Sequence, residues 1–271
     1  MQLVIDTNRL DGLELKEFLQ ASKKNKAILT DYVAMEGLST DTLSDFIAKM
    51  SNLRNHPDQV LVLKSTQSIC RLSGRAAGLK RRLIHEPQTA GFQQYARKLG
   101  AAAKGDARLL NELSLMKNDA KEQIERMLAD AESIAPIFET LALDFNKDAR
   151  KKINSGEFFT PAMIATLIPA VMEVADEIFR THPAKPKVPC FKELPNTFIF
   201  RNSLCCYLVA LRRAANGSTK MKNIRFDRIR NDMIDTQFAT YATYFDGLMT
   251  GDDGAAWLHR RAREILSVAF D

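Results

Sequence analysis

Four acidic residues could do chemistry in this chain: Asp6, Glu36, Asp235 and Asp252. Asp6 directly follows the apolar run Leu3-Val4-Ile5, and Asp252 follows Leu248-Met249 by way of Thr250-Gly251. Glu36 lies next to Met35 and three residues after Val33, so its helix face is not an obviously solvated one. Asp235 sits in a segment whose Ile234, Phe238 and Tyr241 fall on one face. Carboxylates gathered at one point repel each other, and some are pushed to raised pKa values. A Mg²⁺ or Mn²⁺ ion removes the conflict, because both prefer hard oxygen ligands. One or two such ions activate water and stabilise charge on a phosphate under attack. That chemistry needs acidic residues and no histidine. The four histidines are scattered without an H-E-x-x-H pattern, and the four cysteines show no C-x-x-C spacing, so zinc is not expected.

Taken singly, each acid has an ordinary reading. Asp6 would be a strand-end turn residue, Glu36 a solvated helix residue, and Asp235 a partner for its helix dipole. Asp252 and Asp253 would start a helix. Only the ordered set lifts them above that, and the set needs elements to bring it together. Leu3 to Ile5, Ala27 to Leu29, Val60 to Leu63 and Leu248-Met249 read as short strands buried on both faces. Helices are expected over Leu13 to Leu19, then after a cap at Thr30 or Asp31, and again after Ser39-Thr40-Asp41. Others are expected over Asn231 to Tyr244 and Ala255 to Val268, the last following a turn at Thr250 to Gly254. Strands alternating with helices argue a parallel sheet, whose carboxyl ends share one edge where ligands bind. Asp6 and Asp252 both lie just past such ends.

The motifs V-I-D-T-N, T-D-Y-V-A-M-E-G-L, N-D-M-I-D-T-Q-F-A-T-Y-A and L-M-T-G-D-D resemble the acidic motifs of PIN-domain ribonucleases. The resemblance implies a small parallel sheet flanked by helices. It implies that Asp6, Glu36, Asp235 and Asp252 hold Mg²⁺ or Mn²⁺ and hydrolyse RNA phosphodiesters. Thr7 and Asn8 match the polar pair after the first Asp, and Thr250 the Thr before the last. Asp232, one helical turn before Asp235, and Asp253, beside Asp252, are supporting positions. The resemblance covers residues 1–65 and 225–271, which form the expected PIN-like α/β nuclease domain. Residues 66–224 are expected to form a large, mainly helical insertion, with Pro136, Pro161, Pro169 and the prolines of 183–195 as punctuation.

The remaining composition sets bounds. Apolar residues are 45% and charged residues 27% of the 271, which suits a globular chain with a real core. The net charge of +6 permits a polyanionic partner without requiring one. Basic clusters at Lys80-Arg81-Arg82, Arg212-Arg213 and Arg260 to Arg263 read as solvated faces or a supporting field. Arg225, Arg228 and Arg230, just before Asp235, are the candidate RNA-phosphate contacts. Tyr241, Tyr244 and Phe245 could stack bases or fill the core. The expected partner is single-stranded RNA. A homodimer and a protein inhibitor or activator are compatible with the reading, and a membrane is not expected. Free thiols and the lack of a signal-peptide pattern lead to a cytoplasmic expectation.

The leading expectation is therefore a metal-dependent endoribonuclease acting as a toxin, a phage-defence effector or an RNA-processing nuclease. One rival is a catalytically silent PIN-like module that binds RNA or protein. Another is a phosphotransfer protein of the receiver or haloacid-dehalogenase kind. The latter expects an Asp two residues after the first, where this chain has Asn8.

Overall fold

The computed structural model describes residues 1–40, 42–142, 148, 151, 159–183, 185–215 and 226–270. Its strands are β1 (Gln2–Ile5), β2 (Lys26–Leu29), β3 (Val60–Val62) and β4 (Gly247–Met249). All pair in parallel, in the order β3-β2-β1-β4. The strands are short because each carries only two or three consecutive apolar residues, and Val4, Ile5, Ala27 and Ile28 are fully buried. Between β1 and β2 comes α1 (Leu13–Ala21), with Leu15 and Leu19 facing inward. After β2 come α2 (Asp31–Thr40), α3 (Leu43–Lys49) and α4 (Ser51–Asn55). The cap of α3 is Thr42, not Ser39-Thr40-Asp41. Thr42 and Asp45 make a reciprocal capping box, while Ser39 and Thr40 complete α2.

The sheet order has a consequence for function. The chain moves outward from β1 to β2 to β3, and then β4 returns to the opposite side of β1. The strand order therefore reverses between β1 and β4. In open parallel sheets the crevice for ligands opens at such a point, outside the carboxyl ends of the strands. Asp6 ends β1, and Thr250-Gly251-Asp252 follows β4.

Beyond β3 the helices are α5 (Thr66–Cys70), α6 (Leu79–Leu83), α7 (Glu86–Ala102) and α8 (Ala107–Ala142). They are followed by α9 (Pro161–Thr181), α10 (Phe198–Ala215), α11 (Phe226–Ala242) and, after β4, α12 (Asp253–Phe270). Pro136 and Pro169 do not end helices, since they lie inside α8 and α9. In α9 the stripe Ile164, Leu167, Val171, Ala175 and Phe179 is buried, and that packing offsets the backbone hydrogen bond that Pro169 cannot make. Among the described residues no helix is long and apolar enough to cross a membrane.

Two compact units emerge. The first is Met1–Thr66, Lys80–Arg126 and Tyr244–Asp253, which contains the sheet. The second is Gln67–Leu79, Met127–Thr243 and Gly254–Asp271. This division differs from boundaries at 65 and 225. Helix α7 packs on β3, α3 and α4 through Phe92, Ala96 and Leu99, so it belongs with the sheet. Helices α11 and α12 group with the helical unit, where Tyr241 meets Phe198 and Phe270 meets Phe200 edge-on.

Candidate functional site at the carboxyl edge of the sheet

Asp6 is a buried carboxylate, 4% exposed, at the place where the strand order reverses. Its backbone N–H donates to the Met249 carbonyl at 3.0 Å, which carries the β1–β4 pairing one residue past Ile5–Met249. Thr250 thereby comes beside Asp6, and its hydroxyl donates to Asp6 Oδ2 at 2.5 Å. The Asn8 side-chain amide donates to the same oxygen at 2.7 Å, and its carbonyl oxygen accepts from the Gly251 N–H at 2.9 Å. Thr250 Oγ1 in turn accepts from the Asp252 N–H at 2.9 Å. D-T-N and T-G-D, separated by more than two hundred residues, are thus one hydrogen-bonded unit. Asn8 reads both halves, which explains an amide rather than a second carboxylate at that position.

Burial raises the Asp6 pKa above the ordinary carboxylate value, and the hydrogen bonds from Thr250, Asn8 and Thr7 only partly oppose it. Two neighbouring hydroxyls add to the polar character of this edge. Thr7, 5% exposed, follows Asp6, and Thr30, 4% exposed, follows β2. Extending the β1–β2 register two residues past Val4–Ile28 sets Thr30 opposite Asp6. Both Oγ1 atoms are buried without a hydrogen-bond partner. A buried carboxyl and two unsatisfied hydroxyls at one strand edge are costly to stability. All are hard oxygen donors, the chemistry that Mg²⁺ and Mn²⁺ accept.

Helix α2 brings Glu36 toward this edge. It packs on the 3-10 turn Thr7–Arg9, and its Gly37 lies close against the Phe46 ring. A Cβ on Gly37 would lie 3.0 Å from the Phe46 ring and 3.7 Å from the Thr7 methyl. Glu36 is half-buried, with Oε2 shut off from solvent. Replacing Gly37 by Ala should change stability by less than about 1 kcal/mol, since the helix-propensity gain opposes the ring contact. Gly37→Val removes that balance and should cost about 2 kcal/mol or more in urea unfolding. Asp252 and Asp253 are exposed, and Asp253 opens α12.

The other sequence candidates lie on α11 of the second unit. Asp235 and Asp232 are half-buried one turn apart. Asp232 forms an ion pair with Arg213 of α10, so it ties two helices together. Arg228 is exposed, Arg230 donates to the Asn231 side chain at 2.8 Å, and Arg225 lies outside the described residues. Tyr241, Tyr244 and Phe245 are buried, which makes them core and not base-stacking groups. Arg261 is likewise buried and paired with Glu264 at 2.8 Å. Among the described residues no group of three His, Cys, Asp or Glu side chains is drawn together tightly enough to form a ready metal cage.

Two residues at this edge are not among the candidates that the motifs single out. Asp31, one residue past Thr30, accepts from the Thr66 N–H at 2.9 Å and from its hydroxyl at 3.1 Å. Although Asp31 reaches solvent, the protein packed around its carboxylate raises its pKa against those bonds. Its strand-end position, like that of Asp6, was the available clue. The second is Arg9, whose guanidinium lies on Gly251. What the geometry defines is a parallel α/β protein with a buried strand-end carboxylate site. No protein family, curated protein or solved structure matches the chain.

Proposed function

We propose that this protein is a Mg²⁺- or Mn²⁺-dependent ribonuclease of the PIN type, cleaving single-stranded RNA. The carrying observation is Asp6, a buried carboxylate at the reversal of strand order, clasped by Thr250 and Asn8. An ionisable group is costly to bury, and a carboxyl with a shifted pKa at the carboxyl edge of a parallel sheet supports a functional role for it. Asp6, Glu36 and Asp252 would hold the ion, and by motif Asp235 belongs to the same set. When bound, such an ion neutralises charge on a phosphodiester and makes water a nucleophile at neutral pH.

The chain's own residues set the conditions for that chemistry. The Thr250 hydroxyl and the Asn8 amide fix the orientation of Asp6 and keep Oδ2 saturated with donors. The Asn8–Gly251 bond holds the T-G-D turn against D-T-N, so Asp252 is presented from a fixed backbone. Such supporting bonds are worth about 10–100-fold in metal affinity or activity. A cellular role as toxin, phage-defence effector or processing nuclease follows from the same reaction.

The test uses labelled single-stranded RNA and, separately, single-stranded DNA of the same sequence with Mn²⁺. Wild type should generate new RNA ends, and Asp252→Asn and Asp235→Asn should each lower the rate about 100-fold or more. RNA left intact by wild type, with no Mn²⁺ heat in calorimetry, would sink the proposal in favour of a silent binding module.

A further inference from the structure

A site built of carboxylates has a problem with its own substrate. Asp6, Glu36, Asp252 and Asp253 repel an RNA backbone, so a cation must receive the strand at this edge. The basic residues expected for the task, Arg228 and Arg230, lie on α11 of the other unit. Within the sheet unit, Arg9 is built into the site itself. It ends the 3-10 turn that begins at Thr7, three residues after Asp6. Its guanidinium covers Gly251: a Cβ there would lie 3.1 Å from Nε and 3.2 Å from Cζ and Nη2. Glycine at this position is therefore what lets the cation lie flat on the turn that presents Asp252.

The pairing of Arg9 leaves it available. Nε is buried and makes no hydrogen bond, only a long ion-pair contact, while 34% of the side chain is exposed. Among the described residues its ion pair is with Glu14, at 3.5 Å, and that carboxylate is 61% exposed. An exposed pair at this distance contributes little and exchanges readily for another anion. A planar guanidinium held by so long a pair suits the two-oxygen face of a phosphodiester.

We infer that Arg9 is the residue that anchors a phosphate of the RNA strand beside Asp6 and Asp252, with Gly251 holding its guanidinium in place. The inference rests on the ribonuclease reading above. Arg9 touches the substrate backbone and carries no sequence preference, so it sets affinity and not the choice of base.

The probe is a short fluorescein-labelled oligouridylate, with binding followed by anisotropy in EDTA over a series of KCl concentrations and cleavage followed separately in Mn²⁺. Arg9→Gln should weaken binding about tenfold. It should also flatten the slope of log affinity against log salt by about 0.7, the value for one lost contact to a single strand. In cleavage, KM should rise by the same factor with kcat nearly unchanged. Arg9→Lys should keep the salt slope. Gly251→Ala, which retains the charge but displaces it, should weaken binding in the same direction. Thermal stability of Arg9→Gln should match wild type. Unchanged affinity and slope in Arg9→Gln, with wild type cleaving RNA, overturns the Arg9 assignment and leaves the ribonuclease intact. A wild type that neither binds nor cleaves RNA overturns both.

Discussion

Gly74→Ala should lose about 3 kcal/mol or more of stability, a fall in Tm of roughly 6–12 °C for a chain of this size. The reason lies in the second unit. A Cβ on Gly74 would run into the carbonyl oxygen of Glu193, with the carbonyl carbon only 2.7 Å away. Both are backbone atoms, so no side chain can swing clear. The Glu193 peptide is itself fixed on both sides. Glu193 N–H donates to the Cys190 carbonyl at 2.9 Å. The turn after it is gripped by Arg201, whose Nε donates to the Pro195 carbonyl at 2.8 Å and whose Nη1 donates to the Thr243 carbonyl at 2.9 Å. Moving Glu193 would strain this set. Gly91 is the control of opposite sign. It lies inside α7 with nothing near its missing Cβ, so Gly91→Ala should gain up to about 1 kcal/mol. Urea denaturation of the two variants checks both. Wild-type stability in Gly74→Ala would mean that the 190–196 turn yields.

Neither glycine could be ranked from sequence, and the same limit explains what was legible at the site. The strands were readable because each is a compact apolar run, as in Leu3-Val4-Ile5, and burial on both faces needs nothing more. Helix α2 was readable from its start signal after β2. What could not be read were pairings between distant residues. Nothing in V-I-D-T-N says that the Asn8 amide will accept from Gly251, 243 residues later. Strand order decides that, and strand order follows from crossovers, not from local spacing. Arg9 was invisible for the same reason, since its meaning comes from the glycine beneath it. The sequence offers Thr30 or Asp31 as a helix cap, and nothing local shows that the Asp31 carboxylate accepts from Thr66, 35 residues away. The aromatic trio Tyr241, Tyr244 and Phe245 shows the choice between two readings, base stacking and core, being made by packing.

The sharpest expectation concerns Asp6→Asn, which should cost about 10³-fold in Mn²⁺-dependent cleavage while leaving Tm at neutral pH equal to or above that of wild type. The two effects share one cause. Asp6 is a carboxyl in a buried place, and desolvation raises its pKa above the ordinary carboxylate value against the hydrogen bonds from Thr250, Asn8 and Thr7. A folded-state pKa above the unfolded one means that the native state binds the proton more tightly. Stability is then greatest below the unfolded value and falls as pH rises through the raised pKa. Above that window the carboxylate is a standing liability. Asn removes the charge and keeps the shape. Its side-chain oxygen can still accept from Thr250 and Asn8 where Oδ2 does now. The gain over wild type should therefore grow as pH rises through the raised pKa and vanish in acid.

Other groups of the chain have shifted pKa values too, so the difference between the two proteins is the quantity to measure. Asp31 has a raised pKa as well, and His259 is held down to about 4 by desolvation and by Arg263. The histidine works in the opposite sense, losing stability as pH falls from its ordinary 6.5 toward 4. Both contributions cancel in the difference, leaving that of Asp6. A divalent ion supplies the final discriminator. Ligand that binds only the native state stabilises by mass action, about 2.7 kcal/mol at a concentration 100 times Kd. Wild type should melt higher with added Mn²⁺, and Asp6→Asn should not respond. An Asp6→Asn protein that melts lower than wild type and still cleaves RNA would reduce Asp6 to a turn residue at the end of a strand. A stable, inactive and Mn²⁺-indifferent variant would establish it as the carboxylate around which the site is built.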